Sequence, residues 1–182
     1  MKTTTGTHRP RAAQRAQAII ETARSIAETE GWEAVTVRRL ATAIGYSQPV
    51  LYQHFSDGRR EIVAAVSRAG FAGLREALAQ QPRGALAAAA HSYVEFASEH
   101  PALYEAMFHL QSHTRFASVE TPEELRASFD ALAELLDDRD ESHVRTELFW
   151  SALHGLATLE RDGRLPTSRR DARIAELARV FA

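Results

Sequence analysis

Gln48, Tyr52, Gln53 and His54 lie close together on one short segment, and each carries a group able to hydrogen-bond. The apolar members of that segment, Val50, Leu51 and Phe55, fall on another face at helical spacing, so the polar four are left facing outward. A Gln amide such as Gln48 donates and accepts at once, which suits the edge of a base, and Pro49 and Val50 offer apolar surface to a thymine methyl. Tyr52, His54, Arg38 and the Thr36 hydroxyl suit phosphate oxygens, contacts that set register and do not read sequence. Arg59 and Arg60 stand where the next helical segment starts, and free amides beside a cation make a phosphate site. Packing explains an exposed helix start bearing Gln, Tyr and His poorly; the groove of a DNA duplex explains it well.

Two short helices and a tight turn are needed to present these groups. Val37, Leu40, Ala41 and Ile44 recur at helical spacing, with Thr36 placed to cap them. Gly45 supplies the left-handed backbone of the turn. Ser47 then offers a hydroxyl to the free amides of the second helix, and Pro49 sits in its first turn, where a missing N–H costs little. The unit is a helix-turn-helix, with Ser47 and Gln53 completing the expected DNA-facing set. Before it, Arg9, Arg11 and Arg15 are open to two readings, a minor-groove arm or a solvated tail.

With Gly31, Thr36-Val37-Arg38, Leu40-Ala41, Gly45-Tyr46-Ser47 and Leu51-Tyr52-Gln53-His54-Phe55 in place, the stretch from Arg15 to Val66 resembles the TetR family of bacterial transcriptional regulators. It departs from the family's pattern at one point. A Lys usually follows the recognition helix, and here Gly58 is followed by Arg59 and Arg60. Further on, Pro101 to Phe108 and Trp150 to Gly155 look like a C-terminal subgroup of that family named for its Trp, His and Gly. The resemblance implies a cavity for a small hydrophobic effector, with release of DNA as the usual response. Tyr93, Phe96, Tyr104, Met107 and Phe108, with Trp150 and His154, are the expected ligand-binding residues, although an aromatic and Met cluster also reads as plain core.

Val144, Leu148, Ala152, Gly155 and Leu159 mark one face of the helix expected over 141–159, and Ile174, Leu177 and Phe181 one face of the last. Paired with the same helices of a second subunit, they would make a four-helix dimer interface of twofold symmetry. His109 and His113 stand at a spacing that can hold a metal on a helix, but with no Cys nearby neither a metal nor another cofactor is expected. The single lysine is Lys2, and no Cys nucleophile, Gly-x-Ser-x-Gly turn or glycine-rich dinucleotide loop occurs, which speaks against an enzyme.

The 182 residues, 45% of them apolar, suffice for one or two small domains. Net charge is −2, but its distribution is uneven: residues 1–60 hold nine Lys and Arg against five Asp and Glu, the remainder 13 against 19. A basic first third on an acidic body fits nucleic-acid contact at one end only. The absence of Cys and of a membrane-length apolar run leads to an expected cytoplasmic location and no membrane partner. Every convincing segment is helical, so the expected fold is all-α with about nine helices. Its expected organisation is a flexible arm over 1–14, a helix-turn-helix domain over 15–60 and an effector-binding and dimerisation domain over 61–182. The function these features imply is a repressor released from a palindromic operator on double-stranded DNA by a small-molecule effector, acting as a homodimer. An architectural DNA-binding dimer without an effector is the alternative, and the long second body argues against it.

Overall fold

The computed structural model of the chain describes residues 8–110 and 121–182, with side chains from Arg11 onward. Among these residues there are nine α-helices: α1 (His8–Glu30), α2 (Val37–Ile44), α3 (Gln48–His54), α4 (Arg59–Ala79), α5 (Leu86–Glu99), α6 (Pro101–Phe108), α7 (Glu123–Leu136), α8 (Val144–Arg161) and α9 (Arg170–Phe181). Short 3-10 turns occur at Trp32–Ala34 and Thr167–Arg169, and no strand is present among the described residues. The all-α expectation holds. No helix among them is long and apolar enough to cross a membrane.

The chain divides into two compact units, and not where the composition suggested. Residues to Ser67 and those from Ala102 to the end of α6 form the first; Arg68 to Pro101 and the segments from α7 onward form the second. The expected boundary at residue 60 therefore moves into α4, and α6 joins the helix-turn-helix. The expected arm is corrected as well. Helix α1 begins at His8, so residues 8–14 are helical, while residues 1–7 and the Arg9 side chain lie outside the described set.

In the first unit, α1 buries the stripe its periodicity dictates, Ile19, Ala23, Ile26 and Ala27. Leu40 and Ala41 of α2, Leu51 of α3, Phe55, and Ile62 and Val66 of α4 are buried too. Helix α6 adds Leu103, Tyr104, Ala106 and Met107. Its N-terminus is held from α1: the amides of Ala102 and Leu103 each donate to the Glu28 carboxylate at 3.0 Å, and the Trp32 indole donates to the Ala102 carbonyl at 2.8 Å. A carboxylate on two orphan amides satisfies the helix start and complements its dipole.

In the second unit, Phe71, Leu74 and Leu78 of α4, Tyr93 and Val94 of α5, Leu132 and Leu136 of α7, Phe149 and Leu153 of α8 and Ile174 of α9 are buried. Ala69 faces solvent, and Gly70 and Phe71 turn in. Glu160, whose side chain is 4% exposed, is matched by Arg170 at 2.7 Å and Arg173 at 2.6 Å, which ties α8 to α9. Helix α8 starts under a similar device, with the Asp138 carboxylate accepting from the Thr146 amide at 3.1 Å and hydroxyl at 2.6 Å.

The Thr146 hydrogen bond, aided by further bonds and the nearby His143, holds the Asp138 carboxyl below its ordinary value against an opposing effect of burial. A carboxyl whose pKa is depressed by folding stabilises the native state above its unfolded pKa and loses that contribution as pH falls through the folded one. The stability gap between the parent protein and Asp138→Asn should therefore stay level from neutral pH down to about pH 4 and narrow below it. Urea unfolding at stepped pH measures this, and a gap that persists unchanged into stronger acid removes the capping role.

Candidate nucleic-acid interface

The local sequence of α2 and α3 dictates a sharp two-helix corner. The Thr36 hydroxyl accepts from the Arg39 amide at 3.2 Å, capping α2 as its position requires. Gly45 ends that helix at φ 71°, its amide turned back to Ala41 and Thr42, and the Tyr46 amide reaches the Ala41 carbonyl at 2.9 Å. Pro49 occupies the first turn of α3. Ser47 stands at the cap position but its hydroxyl makes no capping bond there, contrary to expectation; its carbonyl instead accepts from the Val50 amide at 3.0 Å.

Leu51 and Phe55 are buried, and the face that remains is the one the polar spacing marked out. Thr36, Arg38, Ser47, Gln48, Pro49, Tyr52 and Gln53 are exposed, whereas Val50 and His54 are half-buried. Tyr52 is held by a glycine: at Gly58, φ 58°, a Cβ would come within 3.1 Å of the Tyr52 ring and 3.4 Å of Val37. Tyr46, not singled out by the sequence reading, is also exposed, with the Arg15 guanidinium 5.7 Å from its ring centre. An aromatic directly after the turn glycine was the signal that could have flagged it.

The two arginines after α3 separate. Arg59 Nε donates to the Val35 carbonyl and its Nη2 to the Trp32 carbonyl, both at 3.0 Å, so its guanidinium is engaged at the 3-10 turn and does not fit the expected phosphate role. Arg60 is exposed and pairs with Asp57, whose hydrogen bond and charge push the guanidinium above its ordinary value and keep it cationic. The Glu61 carboxylate accepts from the Asp57 amide at 3.2 Å and the Ser56 hydroxyl at 3.3 Å, which closes the start of α4. Arg39, beside the exposed Arg38, is paired with Glu30.

The residues expected to bind a ligand do not gather in one unit. Tyr104, Met107 and Phe108 belong to the first, and Tyr93, Phe96, Trp150 and His154 to the second. Tyr93, Tyr104 and Met107 are fully buried side chains, and the Trp150 indole donates to the Tyr93 hydroxyl at 3.1 Å. A cavity of about 510 Å3 opens in the second unit between α7 and the start of α8, and of the expected residues only Trp150 lines it. His109 is exposed just past α6, and His113, four residues on, lies outside the described residues.

On the expected dimer faces, Val144, Leu148 and Leu159 are exposed at 53%, 58% and 38%, with Ala152 and Gly155 half-buried beside them. The α9 face is different. Ile174 is buried, and Phe181 packs on Phe149 with ring centres 5.1 Å apart, so these two find partners within their own unit. Leu177 is half-buried, and the exposed apolar residue there is Val180.

Comparison with known proteins agrees with this geometry. Residues 19–66 match the family described as bacterial regulatory proteins, tetR family, and residues 86–181 match the tetracyclin repressor-like C-terminal domain. That second description does not bear out the narrower Trp-His-Gly subgroup. An uncharacterized HTH-type transcriptional regulator of Mycobacterium tuberculosis is 28% identical, over 81% of this chain and 70% of its own. Another from Bacillus subtilis is 31% identical over 53% of each. Among solved structures, a Rhodococcus protein of unknown function superimposes with a TM-score of 0.75 at 24% identity, over 91% of this chain and 92% of its own. A tetR-family regulator from Streptomyces coelicolor gives 0.68 at 22%, over 93% and 79%.

Arg59 and Arg60 should separate in experiment as they do in space. Arg59→Ala leaves two carbonyls without their charged donor and should lower stability by about 1–3 kcal/mol, whereas Arg60→Ala should be nearly neutral. Thermal and urea unfolding decide this; equal effects would mean that Arg59 is not the tie the geometry indicates.

Proposed function

The chain belongs to the TetR family of bacterial regulatory proteins, and from that we propose a repressor that holds a near-palindromic operator as a homodimer and releases it when a small lipophilic effector binds the second unit. The family and its relatives are transcriptional regulators and not enzymes, and membership implies DNA binding and dimerisation. The observation that carries the DNA reading is the exposed face of α3. Gln48, Pro49, Tyr52 and Gln53 are turned outward while Leu51 and Phe55 fix the helix from behind. Gln48 reads a base edge, and Pro49 and Val50 lie against a thymine methyl. Tyr52, His54, Arg38, Thr36 and Ser47 hold phosphates, with Arg60 in the place first assigned to either arginine.

One short helix reads too few base pairs to be selective, so two must enter successive major grooves about 34–36 Å apart. The exposed apolar stripe of α8 supports the pairing that sets this distance. Gly155 fits such a face: among the described residues nothing outside its own stretch of helix lies within 4 Å of where its Cβ would be, so no contact among them requires a glycine there. For the effector, the α7–α8 cavity of about 510 Å3 falls in the size range of small-molecule sites. A coupling of about 1–3 kcal/mol between effector and operator, or roughly 5–150-fold in affinity, is enough for release, and DNA must weaken effector binding by the same factor.

Operator selection from a randomised library, followed by binding at several salt concentrations, tests the reading surface. Gln48→Ala should relax preference at its contacted base. Arg60→Ala should weaken all sequences alike and lower the salt slope by about one. A Gln48→Ala protein with unaltered preference takes that residue off the surface. Leu148→Glu and Gly155→Arg should sediment as folded monomers that no longer hold the operator; dimers of unchanged affinity would place the interface elsewhere.

A further inference from the structure

We propose that the α7–α8 cavity takes an aromatic or lipophilic cation; this rests on the effector reading above and narrows it to a chemical class. Part of its wall is aromatic. The Phe129 ring centre lies 6.0 Å from those of Trp150 and His143, nearly perpendicular to each at 79° and 82°. All three residues line the cavity. The Trp150 N–H is already given to the Tyr93 hydroxyl, so the indole keeps no donor for an anionic or carbonyl oxygen.

Charge points the same way. Asp130, Glu141 and Glu147 line the cavity, and among the described residues none of their carboxylates has an ion-pair or hydrogen-bond partner. Against them stands Arg126, whose guanidinium is turned to the Thr121 carbonyl at 3.4 Å. His143 Nδ1 stands 3.8 Å from the Asp138 carboxylate. Three unmatched carboxylates around an aromatic recess make a negative potential that favours a cation and repels an anion. The ring faces add their own attraction for positive charge. The carboxylates do not serve the packing of the unit, because Asp130, Glu141 and Glu147 are solvent-exposed.

Tetraphenylphosphonium and tetraphenylborate share a shape and differ in the sign of their charge. Calorimetric titration of the full chain should show binding of the phosphonium, weakened by added salt, and little or none of the borate. Glu147→Gln and Asp130→Asn should each reduce phosphonium affinity roughly 2- to 5-fold, and replacing all three carboxylates by amides should reduce it more than either, with circular dichroism unchanged. Borate binding as tight as phosphonium, indifference of the triple variant, or no binding of either ion overturns the assignment. Operator release separates the two readings. If neutral lipophiles release DNA and the phosphonium does not, the cation assignment falls and the effector reading stands; if no compound of either kind releases it, both fall.

Discussion

A carboxylate on α1 fixes a helix far along the chain, and the first unit depends on it. Glu28 accepts from the Ala102 and Leu103 amides at the start of α6, 74 and 75 residues away, and the Trp32 indole donates to the Ala102 carbonyl as well. Buried backbone groups must find partners, and a helix start leaves several without them. With Glu28 in place, the Ala102 and Leu103 amides are paired, and Leu103, Tyr104, Ala106 and Met107 are buried behind the helix-turn-helix. The unit is therefore not contiguous in sequence. A fragment ended at Ser67 would lack part of its own interior.

Within that unit the reading surface is set by small, local devices acting in series. Thr36 starts α2, Gly45 ends it, Leu51 and Phe55 pin α3, and Arg59 draws the start of α4 onto the 3-10 turn. Each removes a freedom from the next. Gly58 belongs to the same series, because a side chain there would displace the Tyr52 ring. A residue whose contribution is to have no side chain is as much a part of the exposed face as the groups that point from it.

The helices, their approximate ends and the exposed set on α3 were legible in the sequence because each is governed by neighbours three or four positions away. Apolar spacing placed Leu40, Ala41, Leu51 and Phe55 in the interior, and there they are. What the sequence hid was set by distant chain. Nothing near Arg59 says that its guanidinium turns to carbonyls 24 and 27 residues back instead of outward like Arg60. Nor does anything near Pro101 say that α6 belongs to the first unit, which is why Tyr104 and Met107 are assigned to a different unit from Tyr93 and Phe96. The cavity escaped for the same reason. Phe129 and His143 sit on different sides of a turn and meet only in the fold. The α9 face misled because periodicity identifies an apolar stripe and cannot say whether its own chain covers it, as it does at Ile174 and Phe181.

Apart from Lys2, every fixed cation in this chain is an arginine, including Arg38 and Arg60 on the exposed face. The guanidinium stays protonated across the whole physiological range, unlike an amine moved by burial. Acetylation, which neutralises lysine side chains, has no substrate among the described residues of this surface. The guanidinium charges of the helix-turn-helix are thus insensitive to the acyl-donor supply of the cell.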